Sequence, residues 1–301
     1  MAILVQAETR ILVQGITGRE AATFTLESVR YGARIVAGVT PGKGGQSVHG
    51  IPVYDTVAGA TAEHPCDVTI ISVPAPHVLD AAWESMAHGL PLLVIVTERI
   101  PRADAVAILE RARQTGARVV GPNSLGIISP ERTRVGMAGG DAVAVRQAYR
   151  RGPVGVISRS GGMMTEIANL LSQNGIGQST CVSVGGDPVI GTTFVDLLPL
   201  YEADLETQAL VLFCEPGGMM EERLAVHLKA HPSRLQIVAF VAGRFADRIQ
   251  GVRFGHAGAM VDGLHGSPAQ KIAAMREAGV TVAEKLSQIP ALVQAALQPE
   301  P

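Results

Sequence analysis

The chain has 301 residues, of which 47% are hydrophobic and 17% charged, with 25 basic and 27 acidic side chains. Intrinsic disorder requires few apolar residues and many charges, so it is excluded. A net charge of −2 argues against a dedicated nucleic-acid binder. No apolar run reaches the roughly 18–20 residues of a membrane span, no signal peptide is evident, and three scattered cysteines form neither a zinc spacing nor a disulfide framework. We expect a cytoplasmic protein of two domains, with no metal, nucleic acid or membrane as a partner.

In the first part of the chain, short apolar runs alternate with amphipathic segments of helical length. The runs predict buried strands, and the segments between them predict helices. This alternation is typical of a parallel sheet that is covered by helices on both faces. The predicted strands are residues 10–14, 34–38, 67–73, 90–96 and 118–120, and the predicted helices are residues 19–31, 77–88 and 103–114.

The alternation pauses between Pro122 and Gly152, where Pro130, Gly139 and Gly140 favour an irregular connector. It then resumes with further strands and helices. The sequence therefore predicts an α/β protein with two tandem doubly wound domains, at residues 1–125 and 152–301, joined by a connector at 126–151. The predicted strands of the second domain are 153–158, 180–184, 209–214, 236–241 and 280–283, and its predicted helices are 161–174, 193–202, 219–230, 268–278 and 286–297.

The first strand-to-helix turn contains Gly15 and Gly18. A glycine turn that opens a helix presents backbone N–H groups and the positive helix end to an anion. The spacing differs from the G-x-G-x-x-G of nicotinamide sites, and Lys43 follows the second strand, where NAD requires an acid. A phosphorylated ligand is therefore favoured over NAD, which opposes an NAD-linked oxidoreductase. Glycines that serve only helix–sheet packing remain the alternative.

Three more predicted strands of the first domain end in loops of small or polar residues, at 73–76, 97–101 and 121–126. In open α/β sheets, ligands lie across the carboxyl ends of the strands. Five such loops indicate one extended phosphorylated ligand. Glu98 is expected in this site because it lies at a strand end, and a surface acid is the alternative.

The second domain opens with a strand that runs into Ser160, Gly161 and Gly162 and then a helix. This turn predicts a second anion-binding site. A serine hydrolase would require the G-x-S-x-G turn, whose first glycine is missing here. A serine that only caps the helix is the structural alternative, and it is compatible with anion binding.

Glu215 ends another strand just before a helix, where a carboxylate can orient an imidazole; a solvated acid is the alternative. His256 stands among glycines and alanines and follows three arginines in one loop, so its ring is sterically open. Such a histidine can be the nucleophile for a phosphoryl group. A buried structural histidine is the other interpretation.

Together these stretches resemble the α subunits of succinyl-CoA synthetases (succinate–CoA ligases), from about Arg10 to Leu297. Seven ordered motifs carry the resemblance, at residues 13–20, 38–45, 73–76, 121–123, 158–161, 185–188 and 255–259.

The resemblance implies a Rossmann-like CoA-binding domain followed by a flavodoxin-like ligase domain. It implies that His256 carries a phosphoryl group, that Glu215 holds the other ring nitrogen, and that Ser160 and Gly161 cradle the phosphohistidine. The residues that it implies for CoA binding are Thr17, Gly18, Arg19, Glu20, Lys43, Val96, Thr97 and Glu98.

The activity implied is the reversible formation of succinyl-CoA from succinate, CoA and ATP or GTP. The nucleotide and its Mg²⁺ would bind a β subunit of ATP-grasp type, in a heterodimer or heterotetramer, because this chain has no Walker A motif. A malate–CoA or citrate–CoA ligase subunit is an alternative. A CoA-binding protein without phosphotransfer is another, which the presence of Glu215 and His256 opposes.

The chain departs from the family pattern at three places. Ser124 and Leu125 replace the Cys-Pro of an Asn-Cys-Pro-Gly run, Thr165 replaces a tyrosine, and residues 246–251 replace a Pro-Lys-Gly type of turn. The Gly-Gly-Met stretch is similar to that of ATP-citrate lyase. We expect Gly162 and Thr165 to line a roomier substrate pocket that admits malate or another substituted dicarboxylate besides succinate.

Overall fold

Two α/β units follow one another along the chain, which confirms the predicted fold class. The computed structural model describes residues 2–244, 256, 258 and 266–298. Each unit is built on a seven-stranded sheet whose strands are mainly parallel. The strands predicted from the apolar runs all belong to these sheets, and Val13, Ile70 and Val94 are fully buried.

The first unit comprises the residues up to about 120. Its strands and helices are β1 (Arg10–Gln14), α1 (Arg19–Tyr31), β2 (Arg34–Val39), β3 (Ser47–Val48), β4 (Ile51–Tyr54), α2 (Val57–Glu63), β5 (Val68–Ile71), α3 (Val78–Ala87), β6 (Leu92–Ile95), α4 (Arg102–Thr115) and β7 (Arg118–Val120).

The sheet order is β3-β4-β2-β1-β5-β6-β7, and only the β3–β4 pair is antiparallel. The carboxyl ends of the parallel strands therefore meet at one edge. Elements β3, β4 and α2 were not predicted, because the segment around them is rich in glycine and polar residues and their apolar positions are few.

The second unit begins at residue 126. Its strands and helices are β8 (Gly126–Ser129), β9 (Thr133–Gly136), α5 (Ala142–Ala148), β10 (Arg151–Ser158), α6 (Gly161–Gln173), β11 (Gln178–Ser183), α7 (Phe194–Ala203), β12 (Ala209–Cys214), α8 (Met220–Ala230), β13 (Gln236–Val241), α9 (Pro268–Glu277), β14 (Thr281–Ala283) and α10 (Ile289–Leu297).

The prediction of an irregular connector at 126–151 is wrong, because this segment forms β8, β9 and α5. Strand β8 pairs antiparallel with β11, so the second sheet has the order β14-β13-β12-β10-β11-β8-β9. Gly139 and Gly140, which suggested a loop, do lie between β9 and α5. Gly126 belongs to β8, and a Cβ there would lie 2.0 Å from the carbonyl oxygen of Val135. The exact domain boundaries at 125 and 151 stay a prediction.

A buried arginine joins the two units through this segment. Arg134 on β9 is fully buried and donates hydrogen bonds to the Ser28 hydroxyl at 3.2 Å and to the Phe24 carbonyl at 3.4 Å, both on α1. Glu27 of α1 in turn accepts a bond from the backbone N–H of Ala142 at the start of α5, at 2.8 Å. Because buried charges are retained only when they are well paired, these bonds fix one unit against the other.

The loops that follow β7 and β11 also meet across the units. The backbone N–H of Gly186 bonds to the Asn123 carbonyl at 3.3 Å, and that of Gly191 bonds to the Gly121 carbonyl at 2.9 Å. These contacts bring the carboxyl edge of the first sheet to the carboxyl edge of the second. Residues of both units can therefore contribute to one site.

Candidate functional site

A cleft of about 720 Å³ opens at the carboxyl edge of the first sheet. It lies between the turns that follow β1, β2 and β5 and one face of α3. Thr17 and Gly18, both predicted to bind the ligand, line it. The other lining residues include Gln14, Gly15, Val39, Thr40, Pro41, Ser72, Val73, Pro74, His77, Asp80 and Glu84.

The shape of the cleft depends on how closely the first turn approaches its neighbours. Gly15 has a φ of +80°, and a Cβ there would lie 2.3 Å from the carbonyl oxygen of Ser72. The Thr17 hydroxyl donates to the Thr40 hydroxyl at 3.2 Å, which joins the first turn to the loop after β2. Gly18 is the N-cap of α1, so no cap side chain covers the helix end, as expected for an anion-binding turn.

The other predicted CoA residues are not among those that line this cleft. Arg19 and Glu20 open α1 and are exposed, and Lys43 is exposed in the loop after β2. Val96 and Thr97 are half-buried, and the Thr97 hydroxyl donates to the Val73 carbonyl at 2.7 Å. Glu98 is exposed, and its carboxylate lies 3.5 Å from the Arg99 side chain.

Sequence reasoning missed the face that α3 presents to the cleft. His77, Asp80 and Glu84 all line it. Their spacing of three and four residues places them on one side of a helix. That spacing, directly after a strand-end loop, was the signal that could have found them.

In the second unit, His256 and Glu215 form a close pair. The Nδ1 of His256 lies 3.0 and 2.9 Å from the two carboxylate oxygens of Glu215. The side chains are 30% and 12% exposed respectively, so the pair is shielded but open to a reactant. The Glu215 hydrogen bond and negative charge raise the pKa of His256, against partial burial and the nearby positive charge of Arg159, both of which lower it.

The imidazole is seated against a glycine. A Cβ at Gly186 would lie 2.4 Å from the Cγ of His256, and the N–H of Gly258 donates to the Gly186 carbonyl at 3.1 Å. No other residue type fits at Gly186 without moving the ring. Of the predicted 255–259 stretch, the structure describes His256 and Gly258.

Asp187 connects the histidine to the first unit. Its carboxylate accepts a bond from the Asn123 side chain at 3.1 Å and from the backbone N–H of Arg99. Burial raises the pKa of Asp187. The negative charge of Glu98 raises this pKa further, and the positive charge of His256 lowers it. The loops after β6 and β7 thus lie beside the histidine of the second unit.

Comparisons with known proteins agree with this division. Residues 6–99 match the family model described as CoA binding domain, and residues 151–296 match the one described as succinyl-CoA ligase like flavodoxin domain. The succinate–CoA ligase [ADP-forming] subunit alpha 1 of Archaeoglobus fulgidus is 45% identical over 96% of both chains. The chain belongs to the succinate–CoA ligase α-subunit family.

Two further relatives have a similar identity to this chain but differ in the acid that their names specify. The succinate–CoA ligase [ADP-forming] subunit alpha of Methanothermobacter thermautotrophicus is 44% identical over 95% of this chain and 94% of its own. The ADP-forming sulfoacetate-CoA ligase subunit SauD of Bilophila wadsworthia is 41% identical over 99% of this chain and 100% of its own. Relatives that are 41–45% identical to this chain thus have names that specify different acids.

Among solved structures, ATP citrate lyase from Methanothrix soehngenii, in complex with citrate and coenzyme A, superposes with a TM-score of 0.88. It is 24% identical, and the match covers 99% of this chain and 52% of that one. At this identity the likeness shows the fold alone. The α-subunit chain spans about half the length of that lyase chain.

The predicted phosphate cradle of this α subunit lies at the start of α6. Ser160 is the N-cap, and its hydroxyl accepts a bond from the N–H of Met163 at 3.4 Å. A Cβ at Gly161 would lie 2.1 Å from the Cγ of Leu125, so Leu125, one of the departures from the family pattern, packs directly on the cradle. Ser124, the neighbouring departure, is buried and donates to the Ser183 carbonyl at 2.5 Å.

The predicted substrate-pocket residues differ in their surroundings. Gly162 is exposed, and a Cβ there would meet open space. The Thr165 hydroxyl lies 2.8 Å from the hydroxyl of the buried Tyr149. Part of the room expected beside Thr165 is therefore taken by Tyr149. The third departure, at 246–251, lies outside the described residues.

The described residues contain no group of three or more His, Cys, Asp or Glu side chains placed to hold a metal ion. None of their helices is long and apolar enough to cross a bilayer.

Proposed function

We propose that this chain is the α subunit of a nucleotide-dependent acid–thiol ligase. It forms succinyl-CoA from succinate, CoA and ATP or GTP, reversibly, through a phosphohistidine at His256. The nucleotide and Mg²⁺ bind a β subunit of ATP-grasp type in a heterodimer or heterotetramer, and the enzyme works in the cytoplasm. The names and the near-complete coverage of the relatives support this proposal.

The observation that carries the proposal is the contact of His256 Nδ1 with both oxygens of Glu215, at 2.9 and 3.0 Å. A carboxylate that accepts the Nδ1 hydrogen fixes the tautomer, so the lone pair is on Nε2. Nε2 is then the nucleophile. The same carboxylate stabilises the positive ring that exists while Nε2 carries a phosphoryl group.

Three transfers follow from this arrangement. In the first, Nε2 of His256 attacks the terminal phosphorus of the nucleotide, the P–N bond forms, and the nucleoside diphosphate leaves with the electron pair of the broken P–O bond. In the second, a carboxylate oxygen of the acid attacks this phosphorus, and the P–N bond breaks to give an acyl phosphate. In the third, the CoA thiolate attacks the acyl carbon, and inorganic phosphate leaves.

The contacts between the units suit the third transfer. CoA would bind in the cleft at Thr17 and Gly18 and run past Val96, Thr97 and Glu98. The Asn123 and Arg99 contacts to Asp187 link those loops to the loop on which His256 rests. Ser160 and Gly161, at the N-terminus of α6, would hold the phosphoryl oxygens through backbone N–H groups and the helix dipole.

Reconstitution with the β subunit tests the proposal. The complex is incubated with nucleoside triphosphate labelled at the γ-phosphate. We expect label on this chain that is labile to acid and stable to base, as a phosphoramidate is. Addition of CoA and succinate should discharge it as inorganic phosphate with formation of succinyl-CoA. A chain that remains unlabelled in an active complex would contradict the proposal.

Lys43 tests the assignment of the CoA site. Lys43→Ala should weaken CoA binding by about 1.5–3 kcal/mol, because a charge-assisted bond to a phosphate is lost. Titration calorimetry of the two proteins measures this. Lys229→Ala is the matched control, since Lys229 is a surface lysine of the second unit that pairs with Glu277. Equal CoA affinities for wild type and Lys43→Ala would remove Lys43 from the site.

A panel of acids tests the substrate. We expect the highest kcat/KM for succinate, with detectable turnover of malate and little of citrate or sulfoacetate. The ratio of kcat/KM values between malate and succinate shows the kind of site. A pocket that is only roomier discriminates between the two acids by about 10–200-fold, whereas one that binds a substrate hydroxyl discriminates by about 10⁴-fold or more. Thr165→Tyr then checks whether Thr165 sets this ratio. Unchanged ratios in Thr165→Tyr would show that Thr165 serves packing with Tyr149 alone. A preference for sulfoacetate would reassign the acid.

A further inference from the structure

Arg159 is a buried cation whose environment the steps above leave unexplained. It follows β10 directly, between Ser158 and the cradle serine, and its side chain is only 5% exposed. Its Nη1 donates to three successive backbone carbonyls, those of Glu215 at 3.1 Å, Pro216 at 3.4 Å and Gly217 at 3.0 Å. One guanidinium group thus holds the whole turn that presents Glu215.

The other end of the same guanidinium group faces the histidine loop. A Cβ at Gly258 would lie 3.1 Å from Nη2 of Arg159, and the positive charge of Arg159 lowers the pKa of His256. Arg159 therefore bonds the turn at 215–217 and also lies close to Gly258, two residues after His256.

A buried ionic network lies beside Arg159. Glu221 on α8 is fully buried, and its Oε1 lies 3.7 Å from Nη1 of Arg159. The Nζ of Lys271 on α9, also fully buried, lies 2.6 Å from Oε2 of Glu221 and 2.8 Å from Glu222. It also donates to the Gly218 carbonyl at 2.9 Å.

Two cations and two carboxylates balance in this network. Removing charges from water is costly unless each is paired. Here Lys271 bonds both carboxylates, whereas Glu221 Oε1 and Arg159 Nε make no hydrogen bond within the described residues, so Arg159 is held mainly by its three bonds to the carbonyls of the 215–217 turn. A cation bonded to three carbonyls of one turn leaves that turn little freedom. The backbone position of Glu215 is then held by Arg159, which the carboxylate of Glu221 on α8 faces in turn.

We infer that Arg159 is a positioning residue for phosphoryl transfer, which holds Glu215 against His256 by bonding the three carbonyls of the 215–217 turn beside Gly258. This inference rests on the proposed function. It assigns Arg159 no contact with the phosphoryl group: its effect passes through Glu215. The chemistry that it serves is the acceptance and release of phosphate at Nε2.

The test measures single-turnover phosphorylation of the reconstituted complex by labelled nucleotide. Arg159→Gln should slow labelling by roughly 10- to 100-fold, since a misplacement of about 1 Å costs about 10²-fold. Arg159→Lys, which keeps the charge but not the fork of donors, should retain more of the rate. CoA affinity, which depends on the first unit, should stay within about twofold of wild type, because distant sites act independently. Arg111→Gln, at an exposed arginine on α4, is the matched control and should label at the wild-type rate.

A double-mutant cycle separates this role from a general structural one. If Arg159 acts through Glu215, Arg159→Gln should slow labelling by less than about twofold in a Glu215→Gln background, because residues that act as a unit are not additive. A full additional loss in that background would overturn the inference, as would a wild-type rate in Arg159→Gln.

If Arg159→Gln fails to fold, as its thermal unfolding curve would show, Arg159→Lys carries the test. A wild-type rate in Arg159→Lys would then overturn the inference. Failure of the proposed function looks different: the wild-type complex itself would remain unlabelled, and the positioning role would fall with it.

Discussion

His256→Asn is expected to abolish transfer of label from the nucleotide to this chain, and with it formation of the acyl-CoA. Asparagine is similar in size to part of the ring, but its side-chain amide nitrogen is not a nucleophile, so the P–N bond cannot form. Thr17 and Gly18 line a cleft in the other unit, so CoA affinity should not change. Labelling of the chain and calorimetric CoA binding are measured on the same reconstituted preparation.

His88→Asn is the matched control for this loss, because His88 is an exposed histidine at the C-terminal end of α3. It should label at the wild-type rate. Label that survives in His256→Asn and disappears in His88→Asn would place the phosphoryl carrier in the first unit. Label that survives in both would place it on another side chain, and the assignment of His256 would be wrong.

Much of the fold could be predicted from the sequence, because its strands are buried on both faces and consist of apolar runs. Strand β1 and helix α1 have the bounds that the pattern predicted. The connector prediction failed for another reason. Pro130, Gly139 and Gly140 do lie in turns, but β8 and β9, of four residues each, and α5, of seven, lie beside these turns, and elements this short leave little periodicity in the sequence.

Some contacts of the candidate site could likewise be predicted from the sequence, and others could not. Glu215 was predicted to orient an imidazole because it ends a strand, and the structure places it against His256, 41 residues along the chain. Strand ends share an edge of the sheet, so this neighbourhood follows from topology. The bond between Asn123 and Asp187 depends on how the two units dock. The contact of Thr165 with Tyr149 depends on α5, an element that was not predicted. The catalytic roles of Glu215 and His256 stay predictions.

Glu215→Gln is expected to reduce the rate of His256 labelling by about 10²–10⁴-fold. Glutamine retains the shape, but its amide can donate as well as accept, so it no longer fixes the tautomer with Nε2 free; a comparable loss of tautomer control costs about 10⁴-fold in a serine protease triad. It also leaves the positive ring of the phosphorylated histidine without its counter-charge. Single-turnover labelling measures the loss. Glu277→Gln, an exposed carboxylate on α9 that pairs with a surface lysine, is the control and should have little effect.

The pH dependence of this variant gives an independent check. His256 accepts a phosphoryl group only when its ring is neutral, so labelling in the wild type should fall as pH decreases through the His256 pKa, which Glu215 raises above the ordinary value of about 6.5. Glu215→Gln removes the negative charge, and the acid limb should move to lower pH while the plateau falls.

The thermal unfolding midpoint should depend on pH in the opposite direction: the advantage of the wild type over Glu215→Gln should be greatest at low pH. A histidine whose pKa is raised in the folded protein contributes stability that is fully present below its unfolded value and is lost as pH rises through the folded value. The thermal midpoint of the wild type should therefore exceed that of Glu215→Gln most below about pH 6.5, and the difference should shrink as the pH rises through the folded pKa of His256. An acid limb that stays in place would show that another group, with Asp187 the nearest candidate, sets the charge of the ring.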